Sequence, residues 1–116
     1  MICHLLEDKE DVRKLMALDA NLNNKTAMHL IKDESESVRI LLALNENINK
    51  VIIKQLTKDI SINVRGALFF NKLTPKNIRH KLKKEPQIQS FIKKYNNRES
   101  LYRGLTQIYS MKNIIL

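Results

Sequence analysis

Two stretches decide the reading: Asp33-Glu34-Ser35-Glu36-Ser37-Val38-Arg39-Ile40-Leu41-Leu42-Ala43-Leu44-Asn45 and Asp59-Ile60-Ser61-Ile62-Asn63-Val64-Arg65-Gly66-Ala67-Leu68-Phe69-Phe70-Asn71. They lie 26 residues apart and share an acid, a Ser, a Val-Arg pair, an apolar run and a closing Asn. The Val-Arg pair occurs once more in phase, at Val12-Arg13. Valine occurs four times and three of the four precede Arg, in a chain with six Arg. Other positions keep the same step. An acid precedes each Arg by six residues (Glu7, Asp33, Asp59), Leu30, Leu56 and Leu82 recur, and Asp19, Asn45, Asn71 and Asn97 form a further series. Met16, Leu42 and Leu68 agree, as do Leu18, Leu44 and Phe70. A fourth copy is degenerate: Ser90-Phe91 stands in place of Val-Arg, while Asn97 and Ser100 stay in phase. A phased period of this length is the mark of a repeat array.

Within each unit the apolar spacing is helical. Val38, Leu41, Leu42 and Asn45 run i, i+3, i+4, i+7, and so do Val64, Ala67, Leu68 and Asn71. Ile52 with Leu56, and Ile78 with Leu82, mark a second helix per unit. Ser35 and Ser61 are placed to cap the first helices, and Asn23, Asn49 and Thr74-Pro75 the second. Asn45, Asn71 and Asn97 are expected to end helices in the left-handed conformation. The spacing predicts helices over 2–8, 10–19, 24–32, 36–45, 50–58, 62–71, 75–84, 87–96 and 99–112. Helices this short are stable only when stacked. Met16, Phe69 and Phe70 are then core residues, and Tyr95, Tyr102 and Tyr109 cap the last exposed face.

The remaining composition narrows the classes. At 116 residues one domain is expected. Only Gly66, Gly104, Pro75 and Pro86 punctuate the chain, which argues against a turn-rich β fold and excludes glycine-rich phosphate loops. The single cysteine, Cys3, excludes an internal disulfide and fits a reducing compartment. The longest uncharged run, residues 104–111, is far short of the about 20 residues that span a bilayer. No secretory signal is visible, so a cytoplasmic location is expected.

The phased acid-x4-Val-Arg pattern resembles HEAT-type helical repeats and, more closely, the variant leucine-rich repeat. Thr74-Pro75 is similar to the start of that family's second helix. The resemblance covers residues 5–84. It implies an all-α fold, a right-handed α-solenoid of about four 26-residue helical pairs. One domain would span 1–116, with clear units at 5–84 and a degenerate, basic C-terminal unit or cap at 85–116. It also implies that Arg13, Arg39 and Arg65 form a ladder with Asp33, Asp59 and Glu7 between neighbouring units. A charge recurring beside core Val suits such an inter-unit hydrogen bond.

No catalytic or metal chemistry is expected. His4, His29 and His80 share no ligand spacing, and HExxH, GxSxG and CxxC motifs are absent. Most acid pairs stand at helix starts, where the macrodipole favours them. Cys3 and His4 are adjacent, and neighbouring helical side chains diverge by about 100°. The sequence therefore predicts a non-enzyme without cofactors.

Charge is the remaining signal. Formal net charge is +9, yet residues 1–71 hold ten basic and ten acidic side chains. The excess lies in residues 72–116. Lys76, Arg79 and Lys83 share a helical stripe preceded by Lys72 and followed by Lys93, Lys94, Arg98 and Arg103. These eight residues are the candidate anion site. A Lys- and Asn-rich composition of the kind AT-rich bacterial genomes encode supplies the rival explanation, a merely solvated face. The expected function is a protein-binding adaptor or inhibitor whose basic end meets an acidic partner. The alternative is DNA binding through the phosphate backbone on the same surface, as a further resemblance to HEAT-like alkylpurine DNA glycosylases suggests. An apolar edge around Leu5, Leu15 and Met16 predicts end-to-end dimerisation.

Overall fold

Side-chain caps set where most of the helices begin. Asn23 Oδ1 accepts the Thr26 N–H at 2.8 Å and Asn49 Oδ1 accepts that of Ile52 at 2.9 Å. Ser35 Oγ accepts from Val38 at 3.3 Å, and Ser61 Oγ from Asn63 and Val64 at 3.1 and 3.3 Å. In the computed structural model, which describes residues 9–109 (side chains to 105), eight helices and no strand result. They are α1 (Glu10–Leu18), α2 (Asn24–Leu30), α3 (Glu36–Leu44), α4 (Lys50–Leu56), α5 (Ile62–Phe69), α6 (Lys76–Lys83), α7 (Pro86–Tyr95) and α8 (Arg98–Tyr109). The helix expected at 2–8, with Cys3, His4, Leu5 and Glu7, lies outside the described residues.

Two local expectations are corrected. Thr74 does not cap α6: its buried hydroxyl donates to the Leu68 carbonyl at 2.6 Å, and Pro75 itself takes the cap position. The hydroxyl instead satisfies a carbonyl that the end of α5 leaves free. Nor do Asn45, Asn71 and Asn97 end helices in the left-handed region. Asn45 is extended, at φ −70° and ψ 124°, and among the described non-glycine residues only Asn96 has positive φ. Asn45 and Asn71 are buried cross-links. Asn45 Nδ2 donates to the carbonyls of Ala17 (2.8 Å) and Asp19 (2.9 Å). Asn71 Nδ2 donates to those of Ala43 and Asn45, both at 2.9 Å. Each carboxamide thus sews the end of one odd-numbered helix to the next. Asn97 instead caps α8, accepting the Ser100 N–H at 2.8 Å.

The odd-numbered helices pack in a row, α1 on α3, α3 on α5 and α5 on α7. The even-numbered helices flank that row, with α2 against both α3 and α4. Val38 and Val64 are fully buried at equivalent places and Val12 is half-buried. Leu30, Leu56 and Leu82 are buried in the flanking helices. The packing is that of a helical bundle or repeat. Met16, Phe69 and Phe70 pack partly buried against the core.

The fourth layer closes differently. Phe91, where an Arg would continue the series, is buried on Gly66 of α5. A Cβ at Gly66 would lie 2.4 Å from the Phe91 ring, so only glycine admits this approach. Phe91 meets Tyr95 at a 4.7 Å centroid distance, and Tyr95 is buried beside Gly104 of α8. Arg98 then ties α8 back to the end of α3. It pairs with Glu46 and donates to the Leu44 carbonyl at 2.7 Å and the Tyr102 hydroxyl at 2.9 Å.

Candidate functional site

The recurring acids and arginines meet as three rungs. Arg13 Nε binds Asp33 Oδ2 at 2.7 Å, Arg39 Nε binds Asp59 Oδ2 at 2.8 Å, and Arg65 binds Glu85 at 3.1 Å. Glu85 lies one further step beyond Asp59, so the acid series has a member that the sequence reading missed. Its in-phase partner position is Phe91, which hid the continuity. The Arg39 guanidinium also donates to the Asp33 carbonyl at 2.7 Å, and that of Arg65 to the Asp59 carbonyl at 2.5 Å. Each of these two arginines therefore spans two rungs. Asp33 and Asp59 also accept the N–H of Ser35 and Ser61, both at 2.9 Å, which orients them for the bond. Proximity to Asp33 raises the pKa of Arg13.

A second set of cross-links runs alongside. The Ser61 hydroxyl pairs with the Glu36 carboxylate. One step earlier, the bond from Ser35, with Lys14 beside it, holds the Glu10 carboxyl below its ordinary range. Lys14 is itself buried, its ammonium 3.2 Å from Glu10.

The eight candidate anion-binding residues do not form one surface. Arg79 turns inward, donating to the carbonyls of Asn71 (3.1 Å) and Thr74 (3.3 Å) with its guanidinium 6.0 Å from the Phe69 ring centroid. It occupies the place of core residues Ala27 and Ile53. Arg98 and Lys72 converge on Glu46, and Arg103 pairs with Glu99 at 2.7 Å. Lys76 and Lys83 are exposed on α6, and Lys93 and Lys94 on α7.

A broader pattern emerges from the helix layers. Helices α2, α4 and α6 contain no acidic residue. With the residues immediately flanking them (23–32, 49–58 and 75–84) they carry ten Lys and Arg. The nine lysines among these are all exposed. The acids that end each segment, Asp33, Asp59 and Glu85, are engaged by ladder arginines. Lys32, Lys58 and Lys84 recur at the 26-residue step, a signal that is in the sequence but stands out only when charge is grouped by helix layer rather than along the chain.

Helices α4 and α6 are separated by a groove. One part, of 300 Å³, is lined by Lys54, Thr57, Lys58, Asn77, Ile78, Lys81, Leu82 and Glu85. A second part, of 290 Å³, continues past Lys54, Asn77 and Ile78 to Lys50 and Pro75.

His29 and His80 are exposed, and no group of three potential metal ligands occurs among the described residues. No helix among them is long and apolar enough to cross a membrane. Leu15 is 55% exposed, whereas its in-phase counterparts Leu41 and Ala67 are fully buried. Comparisons with family models, with curated proteins and with solved structures give no match.

Proposed function

We propose that this chain is a right-handed α-solenoid that acts without catalysis as a protein-interaction module, presenting the layer α2–α4–α6 to an acidic partner. The observation that carries the reading is the charge segregation between layers: exposed lysines stand on three successive helices with no acid among them. Such a one-signed field attracts and orients an oppositely charged surface. Exposed apolar side chains stand among the lysines, Val51 at 56% and Met28 at 40%. They favour a protein partner, because a phosphate backbone offers them nothing to pack against.

A second reading, binding of a nucleic-acid backbone, is favoured by the regular step of Lys32, Lys58 and Lys84. One titration separates the two. Labelled poly-glutamate and a labelled DNA duplex are titrated with the protein at low and moderate salt. The triple reversal Lys32→Glu, Lys58→Glu, Lys84→Glu serves as the comparison. The proposal expects poly-glutamate binding that weakens with salt and is lost in the variant. Tighter binding of the duplex with a steep salt slope would favour the second reading. Unchanged poly-glutamate binding by the variant would remove the layer from the account.

A further inference from the structure

The even-numbered layer is not uniform. Helices α2 and α4 pack directly, with a 350 Å³ depression between the ends of the two helices, whereas the groove between α4 and α6 runs along both helices. The sequence supplies a physical reason. Where α2 and α4 turn Ala27 and Ile53 into the core, α6 has Arg79. Its guanidinium reaches the carbonyls of Asn71 and Thr74 through Nη2, while Nε is buried without a hydrogen-bond partner. Helix α6 packs on α5 and α7, and Arg79 ties it to the loop before it.

The chemistry of the groove is specific. Lys50 and Lys54 on α4 and Lys58 just past its end follow one another at steps of four, and Lys81 stands across from them on α6. Between these cations the wall is Ile78, half-buried, with Leu82 buried beneath, and Thr57, Asn77 and Glu85, whose carboxylate pairs with Arg65, complete the lining. Neither arginine nor an aromatic ring lines it. A nucleic acid would find neither a stacking platform nor a bidentate phosphate fork. An acidic peptide carrying an apolar side chain finds both parts of what it needs, cations for its carboxylates and an apolar wall for its anchor.

Resting on the reading that the basic layer is the binding face, we infer that the α4–α6 groove is its specificity site. It takes an acidic segment of a protein partner through one leucine-like anchor seated against Ile78, with carboxylates on Lys50, Lys54, Lys58 and Lys81. The groove is at the small end of ligand sites, which suits one or two side chains rather than a folded domain.

The test uses the full chain and two labelled synthetic peptides of equal charge, one of glutamate with interspersed leucines, the other with serine in place of leucine. The leucine peptide is expected to bind about tenfold more tightly, from burial of one apolar side chain. In a ¹⁵N-labelled sample it should shift amides of residues 50–58 and 76–85 and leave those of α2 unmoved. Ile78→Ser should bring the ratio of the two peptides' affinities close to one. Equal affinity of the two peptides for the wild-type protein would overturn the groove and leave the charged layer standing. Binding of neither peptide would overturn both. Preferential binding of a DNA duplex, with shifts outside the groove, would also sink the inference.

Discussion

At the scale of single residues, the ladder rungs differ in how much water they see, and that decides their worth. Arg39 and Asp59 side chains are 13% and 7% exposed, whereas Glu85 is 39% exposed opposite Arg65. Isosteric neutralisation isolates the charge. Asp59→Asn leaves a nearly buried guanidinium without its anion, and should cost about 1–3 kcal/mol. Glu85→Gln removes a charge that solvent already screens, and should cost under about 1 kcal/mol. Urea unfolding of both variants, read as a change in midpoint at constant slope, checks the ranking. A larger loss for Glu85→Gln would show that solvent exposure does not set the strength of a rung.

At the scale of helices, the join between α5 and α7 depends on the close approach at Gly66. Gly66→Ala improves helix propensity by about 1 kcal/mol, but its Cβ meets the ring of a buried Phe91 at 2.4 Å. Overpacking of a closed core costs about 1–3 kcal/mol. The variant should therefore be destabilised, and Phe91→Leu in the same background should restore part of the loss. A more stable Gly66→Ala would mean that Phe91 can move aside at little cost. The contrast with the other helices explains what was legible in the sequence. Helix starts were readable because caps such as Asn23, Ser35, Asn49 and Ser61 act within three residues of themselves. The carbonyl cross-links of Asn45 and Asn71 were not, because their partners lie in the preceding odd-numbered helix. The fourth layer escaped the period because Phe91 holds it by ring packing rather than by an ion pair. Among the candidate site residues, Arg79 looked like part of an exposed stripe from its spacing. Only the packing shows that it stands at a core position and satisfies backbone carbonyls. The groove beside it could not be read from residue types alone, since it depends on how two helices lie against each other.

At the scale of the whole molecule, two electrostatic effects pull against each other. The rungs are favourable pairs that salt weakens, while the layer of exposed lysines repels itself, and salt relieves it. Location decides which wins. The paired carboxylates Asp33 and Asp59 are each 7% exposed, and buried pairs are screened far less than surface charges. The lysines of α2, α4 and α6 face solvent without an acid among them, so their repulsion follows the Debye length, about 30 Å at 0.01 M salt and about 10 Å at 0.1 M. A net charge of +9 on 116 residues makes that repulsion the larger salt-sensitive contribution. Melting temperature should therefore rise between 0.01 and 0.3 M sodium chloride. The triple variant with Lys32, Lys58 and Lys84 changed to Glu should show a smaller rise, because it mixes the signs within the layer. Were the wild-type melting temperature to fall instead, the rungs would be exposed to ions and the repulsion between lysines too weak to matter, and the segregation of charge between layers would lose its energetic meaning.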